Sequence, residues 1–126
     1  MKQYRHKKAF ELESGLIIEG LTIAYHTYGQ MNRNKTNVVW ICHHLTANSD
    51  ASLWWKGMVG EGDIIDPSRH FIICANILGS CYGTTGPLSE NPVTEKPWYG
   101  DFPIITIRDM VNAHIILREQ IGRAHV

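Results

Sequence analysis

Val38-Val39-Trp40-Ile41-Cys42 and, further on, Phe71-Ile72-Ile73-Cys74-Ala75 are unbroken apolar runs bounded by polar residues. Runs of this length without alternation predict strands buried on both faces, as in a parallel sheet. The stretch between them is long enough for one right-handed crossover and contains Ser52 to Met58, which reads as a short helix. Ahead of the two runs the pattern changes. Phe10 and Leu12 alternate with Glu11 and Glu13 before a Ser14-Gly15 turn, and Leu21 to Tyr28 is β-branched and aromatic with period two up to Gly29. The chain therefore starts as antiparallel β and continues as α/β, with Gln30 to Asn37 as a polar surface loop.

Beyond the second run, residues 77 to 103 are punctuated by Gly79, Gly83 and Gly86, then by Pro87, Pro92, Pro97 and Pro103. Such punctuation predicts a long irregular loop, and loops of that length are commonly functional. Thr106 and Asp109 form a capping box, after which Ile107, Met110, Val111, His114, Leu117 and Ile121 recur at helical spacing. This predicts an amphipathic helix from Ile107 to about Gln120, with Gly122 as its stop. Two doubly buried strands need helices on both faces, and one long helix is too few. The sheet is expected to be incomplete.

Composition narrows the class. The 126 residues carry 12 Lys+Arg against 12 Asp+Glu, and 44% are hydrophobic. That is enough apolar material for a core, and a zero balance lacks the basic footprint of a nucleic-acid binder. The odd set Cys42, Cys74 and Cys81 is not a disulfide framework, so reduced thiols and a cytoplasmic location are expected. Met1 to Lys8 is polar and reads as a solvated terminus rather than a signal peptide, and no run is long enough to span a membrane.

In an open α/β sheet, chemistry gathers at the carboxyl ends of the strands. Cys42-His43-His44 offers zinc-ligand chemistry, but neighbours on an extended strand point to opposite sides, and no second ligand cluster exists. The same stretch, running on through Leu45-Thr46, suits an oxyanion loop, in which a backbone N–H stabilises a developing negative charge. Gly79-Ser80-Cys81-Tyr82-Gly83 copies a nucleophile elbow with cysteine at its centre. Gly83-Thr84-Thr85-Gly86-Pro87 cannot start the helix an elbow needs, and no nearby histidine would serve Cys81 as base. His114 reads as a core histidine, and Trp54-Trp55 as a ligand platform or as lid or partner contacts. No G-x-S-x-G is present.

Leu12-Glu13-Ser14-Gly15, Ala24-Tyr25-His26-Thr27-Tyr28-Gly29, Cys42-His43-His44-Leu45-Thr46, Asn48-Ser49-Asp50 and Trp54-Trp55 together resemble the homoserine O-acetyltransferase family. The resemblance continues through Asn76 to Pro87, Pro97 to Pro103 and Thr106 to Val111, in the family's order. His44 stands where the family more usually has a small residue. The resemblance implies the N-terminal part of an α/β-hydrolase fold over residues 1–122. It also implies transfer of an acetyl group from acetyl-CoA to the hydroxyl of L-homoserine, in methionine biosynthesis, through a serine acyl-enzyme. Acetyl-CoA is then a co-substrate, with no cofactor or metal, and the full-length enzyme is expected to be a homodimer that binds neither nucleic acid nor membrane. By match of motif, Leu45 supplies an oxyanion-hole backbone N–H, and the 79–87 segment is structural. The Ser, Asp and His of the family's triad have no counterpart in these residues, so the chain alone is expected to be inactive. Residues 123–126, which with Ile121-Gly122 match one reading frame of a sequencing adapter, are expected to be a non-native tail. A succinyl-CoA or serine-specific relative, an esterase of the same fold, and a non-catalytic interaction module are the competing readings.

Overall fold

Phe71–Ala75 forms the strand its sequence predicts, with all five residues buried. In the computed structural model, which describes residues 1–124, it is β6 of a chain whose earlier strands are β1 (Lys2–Arg5), β2 (Phe10–Glu11), β3 (Ile17–Ile18), β4 (Thr22–Tyr28) and β5 (Val38–Ile41). Helix α1 (Ala51–Trp54) lies in the crossover. The short strands β7 (Glu90–Asn91) and β8 (Lys96–Pro97) and helix α2 (Ile107–Ala124) follow. The larger sheet has the order β1-β4-β6-β5 and is open. It is mixed: β6 runs parallel to β5, in register Val38↔Phe71 to Ile41↔Cys74, and antiparallel to β4, from Tyr25↔Ala75 to Tyr28↔Ile72. This is the expected α/β architecture of an incomplete hydrolase-type sheet. The expected tail at 123–126 lies partly outside the described residues, since 125 and 126 are not among them.

The chain packs as two compact units, one of residues 25–75 with residues 1–2, the other of residues 3–24 with residues 76–124. In the first unit Ile41, Ala51, Val59, Ile72 and Cys74 form the core, with Tyr28, Val39, Trp54, Met58 and Ile65 packed against it. Each fully buried aliphatic side chain contributes roughly 1.5–3 kcal/mol. Burial also pushes the Cys74 thiol up to about 12. Strand β5 departs from its expected burial: Val38 is exposed, Val39 and Trp40 are partly covered, and only Ile41 is buried. It lies at the sheet edge, and the crossover helix beside it is one turn long, so its faces are half covered. The helix expected from Ser52 to Met58 covers only Ala51–Trp54 and gives way before Gly57, whose φ is 91°. Gly29 closes β4 at a φ of 76°, and any Cβ there would collide with the carbonyls of Pro67 and His70.

In the second unit the expected turn at Gly15, with φ 88°, joins β2 to a strand the sequence reading did not single out, β3, in a hairpin paired Phe10↔Ile18 and Glu11↔Ile17. Phe10, Leu12 and Ile18 are buried. The N-terminus is not merely solvated, because Lys2–Arg5 is a strand whose side chains stay largely exposed. Backbone pairing makes no demand on polar side chains, so charge alone does not exclude a strand. The 77–103 loop is irregular except for the two-rung β7–β8 hairpin and a 3-10 turn at Tyr99–Asp101.

Helix α2 opens as predicted. Asp109 N–H donates to Thr106 Oγ1 at 3.1 Å, and Thr106 N–H donates to Asp109 Oδ2 at 2.9 Å. Asp109 Oδ1 accepts a further bond from the Glu13 N–H at 2.9 Å, and Thr106 Oγ1 donates to Glu13 Oε1 at 2.5 Å. Burial pushes the Asp109 carboxyl up, but the N–H groups of Thr106 and Glu13 outweigh it and hold the carboxyl below its usual range. Of the face read from the sequence, Leu117 and Ile121 are buried and Met110 and His114 partly so, whereas Ile107 and Val111 are exposed and Asp109 and Ala113 complete the buried stripe. Gly122 does not stop the helix, which continues to Ala124. One glycine costs a helix only about 1 kcal/mol, too little to end it.

Candidate functional site

Strand β5 delivers the chain into the loop 42–50. Cys42 is exposed, His43 buried and His44 exposed, the alternation of an extended strand. The three do not converge, and among the described residues no group of three or more His, Cys, Asp or Glu could hold a metal ion. The chain then reverses in a turn closed by Ala47 N–H donating to His44 O at 3.0 Å. Leu45 takes the second position of this turn, with its side chain 96% exposed. Among the described residues its N–H donates to no protein acceptor. A backbone donor left open at the carboxyl end of a parallel strand is the arrangement an oxyanion hole needs.

The far side of the loop is held by side chains. Trp54 Nε1–H donates to Asn48 O at 2.8 Å, and Asp50 N–H donates to Asn48 Oδ1 at 2.9 Å. Ser49 Oγ and His26 Nδ1 share a hydrogen bond of 2.7 Å. Tyr28 O–H donates to Asp50 Oδ1 at 2.5 Å, and Ser52 Oγ donates to the same oxygen at 2.8 Å. His26 and Tyr28 stack at 6.0 Å between ring centroids with 13° between their planes. Desolvation and the bond to Asp50 push the Tyr28 phenol up to about 12. Burial pushes the Asp50 carboxyl up, but the bonds from Tyr28 and Ser52 outweigh it and hold it below its ordinary value. Burial lowers His26, partly offset by the Asp50 charge. Asp50 is the N-cap residue of α1 yet makes no side-chain cap, because its carboxylate is directed to Tyr28 and Ser52.

An open cleft of about 380 Å³ adjoins the turn, lined by Cys42, His44, Trp54 and Trp55. The two indoles stack at 5.5 Å, and His44 meets Trp54 edge-on at 5.0 Å. Sequence reasoning singled out Leu45, His44 and both tryptophans, and the structure brings the last three to one cleft beside the Leu45 turn. It missed Tyr28, His26 and Asp50. The signal available was period two, which puts residues 26 and 28 on one face of β4. The other candidates lie elsewhere: Cys81 is exposed in the 77–103 loop, with no α-helix between it and Ile107, and His114 is partly buried on α2.

No family model matches the chain. Among curated proteins, a homoserine O-acetyltransferase of Chlorobaculum parvum is 53% identical over 113 residues, which cover 90% of this chain and 32% of that protein. Among solved structures, homoserine O-acetyltransferase from Bacillus anthracis superposes with a TM-score of 0.88 at 32% identity, covering 96% of this chain and 36% of that one. Esterase E22 superposes with a TM-score of 0.84 at 31% identity, covering 96% and 37%. The chain spans about a third of the length of the curated relatives it matches. Among the described residues no helix is long and apolar enough to cross a membrane.

Proposed function

For a chain that resembles the homoserine O-acetyltransferases and esterases of the α/β-hydrolase superfamily, we propose the role of N-terminal portion of an acetyl-CoA:L-homoserine O-acetyltransferase. In this reading a serine outside these residues attacks the thioester carbonyl, CoA leaves as its thiol, and the homoserine hydroxyl then takes the acetyl group from the serine. The chain's own contribution is electrostatic. The Leu45 N–H faces the oxygen on which negative charge develops, at no cost of reorganisation, because its turn is already formed. The observation that carries the reading is this open N–H at the carboxyl end of β5, in a segment that follows the family's order. Donor and acceptor are small molecules, with acetyl-CoA a co-substrate rather than a resident cofactor. The complete enzyme is proposed to be a cytoplasmic homodimer.

The test replaces the aligned third of the Chlorobaculum parvum enzyme with this chain. The chimera is expected to form O-acetylhomoserine with release of CoA, whereas the 126-residue chain alone gives no turnover above background. A folded chimera without transfer would overturn the proposal, as would transfer by the isolated chain. Leu45→Pro deletes the N–H while proline suits the second position of such a turn. It is expected to lower kcat about a hundred- to a thousandfold without loss of folding. Hydrolysis of an acetyl ester is a second reading, favoured by the likeness to esterase E22. The complete gene product read from the source DNA separates the two, by acetate rather than O-acetylhomoserine as product when homoserine is saturating.

A further inference from the structure

The loop 42–50 is held at its near end by the β5 ladder up to Ile41 and the buried His43, and at its far end by the cluster at Asn48 to Asp50, with the Leu45 turn between them. Within the turn, Ala47 N–H donates to His44 O and the buried His43 ring meets the same carbonyl at 2.8 Å, so the turn moves as a unit whose far end is set by the second anchor. Its shortest contact is Tyr28 O–H to Asp50 Oδ1 at 2.5 Å. The Asp50 carboxylate has left the capping position of α1 to make that bond, and Ser52 holds the same oxygen from the helix side. Tyr28 in turn sits on β4, antiparallel to β6 at Tyr28↔Ile72, and stacks against His26, which holds Ser49. A rigid strand is thereby tied to the loop that carries the Leu45 turn, beside the exposed side chains of Cys42, His44 and Thr46. Hydrogen bonds to a charged group are the strong ones, and a misplaced oxyanion donor loses much of its effect.

We propose that Tyr28 and Asp50 are positioning residues for acyl transfer, acting through the Leu45 N–H by fixing the far end of its loop on β4. The proposal rests on the function assigned above, but one of its two tests does not. In the active chimera, Tyr28→Phe is expected to lower kcat about tenfold with KM for both substrates little changed. Asp50→Asn, which keeps an acceptor for the phenol, is expected to lose less than Asp50→Ala. In the Leu45→Pro background Tyr28→Phe should cost no more than about twofold, since the group it positions is gone. Equal losses in both backgrounds, or a change confined to KM, would overturn the proposal. On the 126-residue chain, the ¹⁵N resonance of the Leu45 amide is expected to shift and broaden in Tyr28→Phe while the amides of α2 stay unmoved. An unchanged Leu45 amide would overturn the positioning role whatever the chimera does. An inactive chimera with a responsive Leu45 amide would instead count against acyl transfer and leave the positioning of Leu45 upheld.

Discussion

Two loops follow the two parallel strands, and they treat their polar groups in opposite ways. The loop after β6 turns inward. Asn76, Thr84 and Thr85 are buried. Asn76 Nδ2–H donates to Ala24 O and Tyr82 O, both at 3.1 Å, while Thr84 Oγ1 accepts from Ala24 N–H at 3.0 Å and donates to Asn76 O at 2.8 Å. Thr85 Oγ1 accepts from Thr22 N–H at 2.9 Å. These hydroxyl and amide groups complete β4 where the ladder with β6 ends. The loop after β5 is held by its far end, and among the described residues the Leu45 N–H has no protein acceptor. Polar groups satisfied inside the protein make scaffold, whereas a polar group left open on a fixed support is available for chemistry.

That contrast can be broken from either side. The largest effect is expected at Leu45, where the proline substitution described above should remove most of the turnover of an active chimera and leave the unfolding midpoint within experimental scatter. Asn76→Ala should do the reverse. It removes the side-chain bonds to Tyr82 O and Ala24 O, the latter keeping its bond from the Asn76 backbone N–H, and is expected to cost about 1–3 kcal/mol in urea unfolding of the chain.

Titration sharpens the comparison further, because only the first loop is tied by ionisable groups. The Tyr28 phenol is held at about 12 against an ordinary 10.0, so its contribution is whole below pH 10 and lost as pH rises through about 12. The Asp50 carboxyl lies below 3.8, so its contribution is whole above pH 3.8 and lost as pH falls through the lower folded value. Methyl resonances of Ala47 should therefore move in acid and alkali ahead of those of Thr84. Joint movement of the two at both ends would place the clamp's titration in global unfolding. The smallest effect is expected at Cys81. Exchange for serine should change the chimera's rate by less than about twofold, because an exposed thiol with no helix behind it is no nucleophile elbow.

How much of this was legible depended on the range of the interaction. Strand β6 is readable from its own five residues, since an unbroken apolar run fits full burial. The exposure of β5 is not, because lateral order in a sheet is a tertiary matter and an edge strand carries the same letters as a central one. The Thr106–Asp109 box is visible at a spacing of three, but the third bond to Asp109 comes from Glu13, which no local rule couples to it. Asp109 and Ala113 escaped the helix-face reading because one is charged and the other small. The Tyr28–Asp50 pair was hidden in the same way: each residue lay in a recognised segment, and nothing in either segment named the other. Leu45 entered as a candidate through resemblance, and the structure adds that it takes the second position of the 44–47 turn.

The bond between Glu13 and Asp109 also sets a timetable. It joins residues 96 apart in sequence. A ribosome adding roughly 5–20 residues per second leaves an interval of about 5–20 s between synthesis of the β2–β3 hairpin and arrival of the carboxylate that locks it. During that interval the Glu13 N–H has not yet met the carboxylate that accepts its bond in the folded chain. The nascent chain thus carries the hairpin without that bond until residue 109 has been made, and the start of α2 is the latch that then secures it.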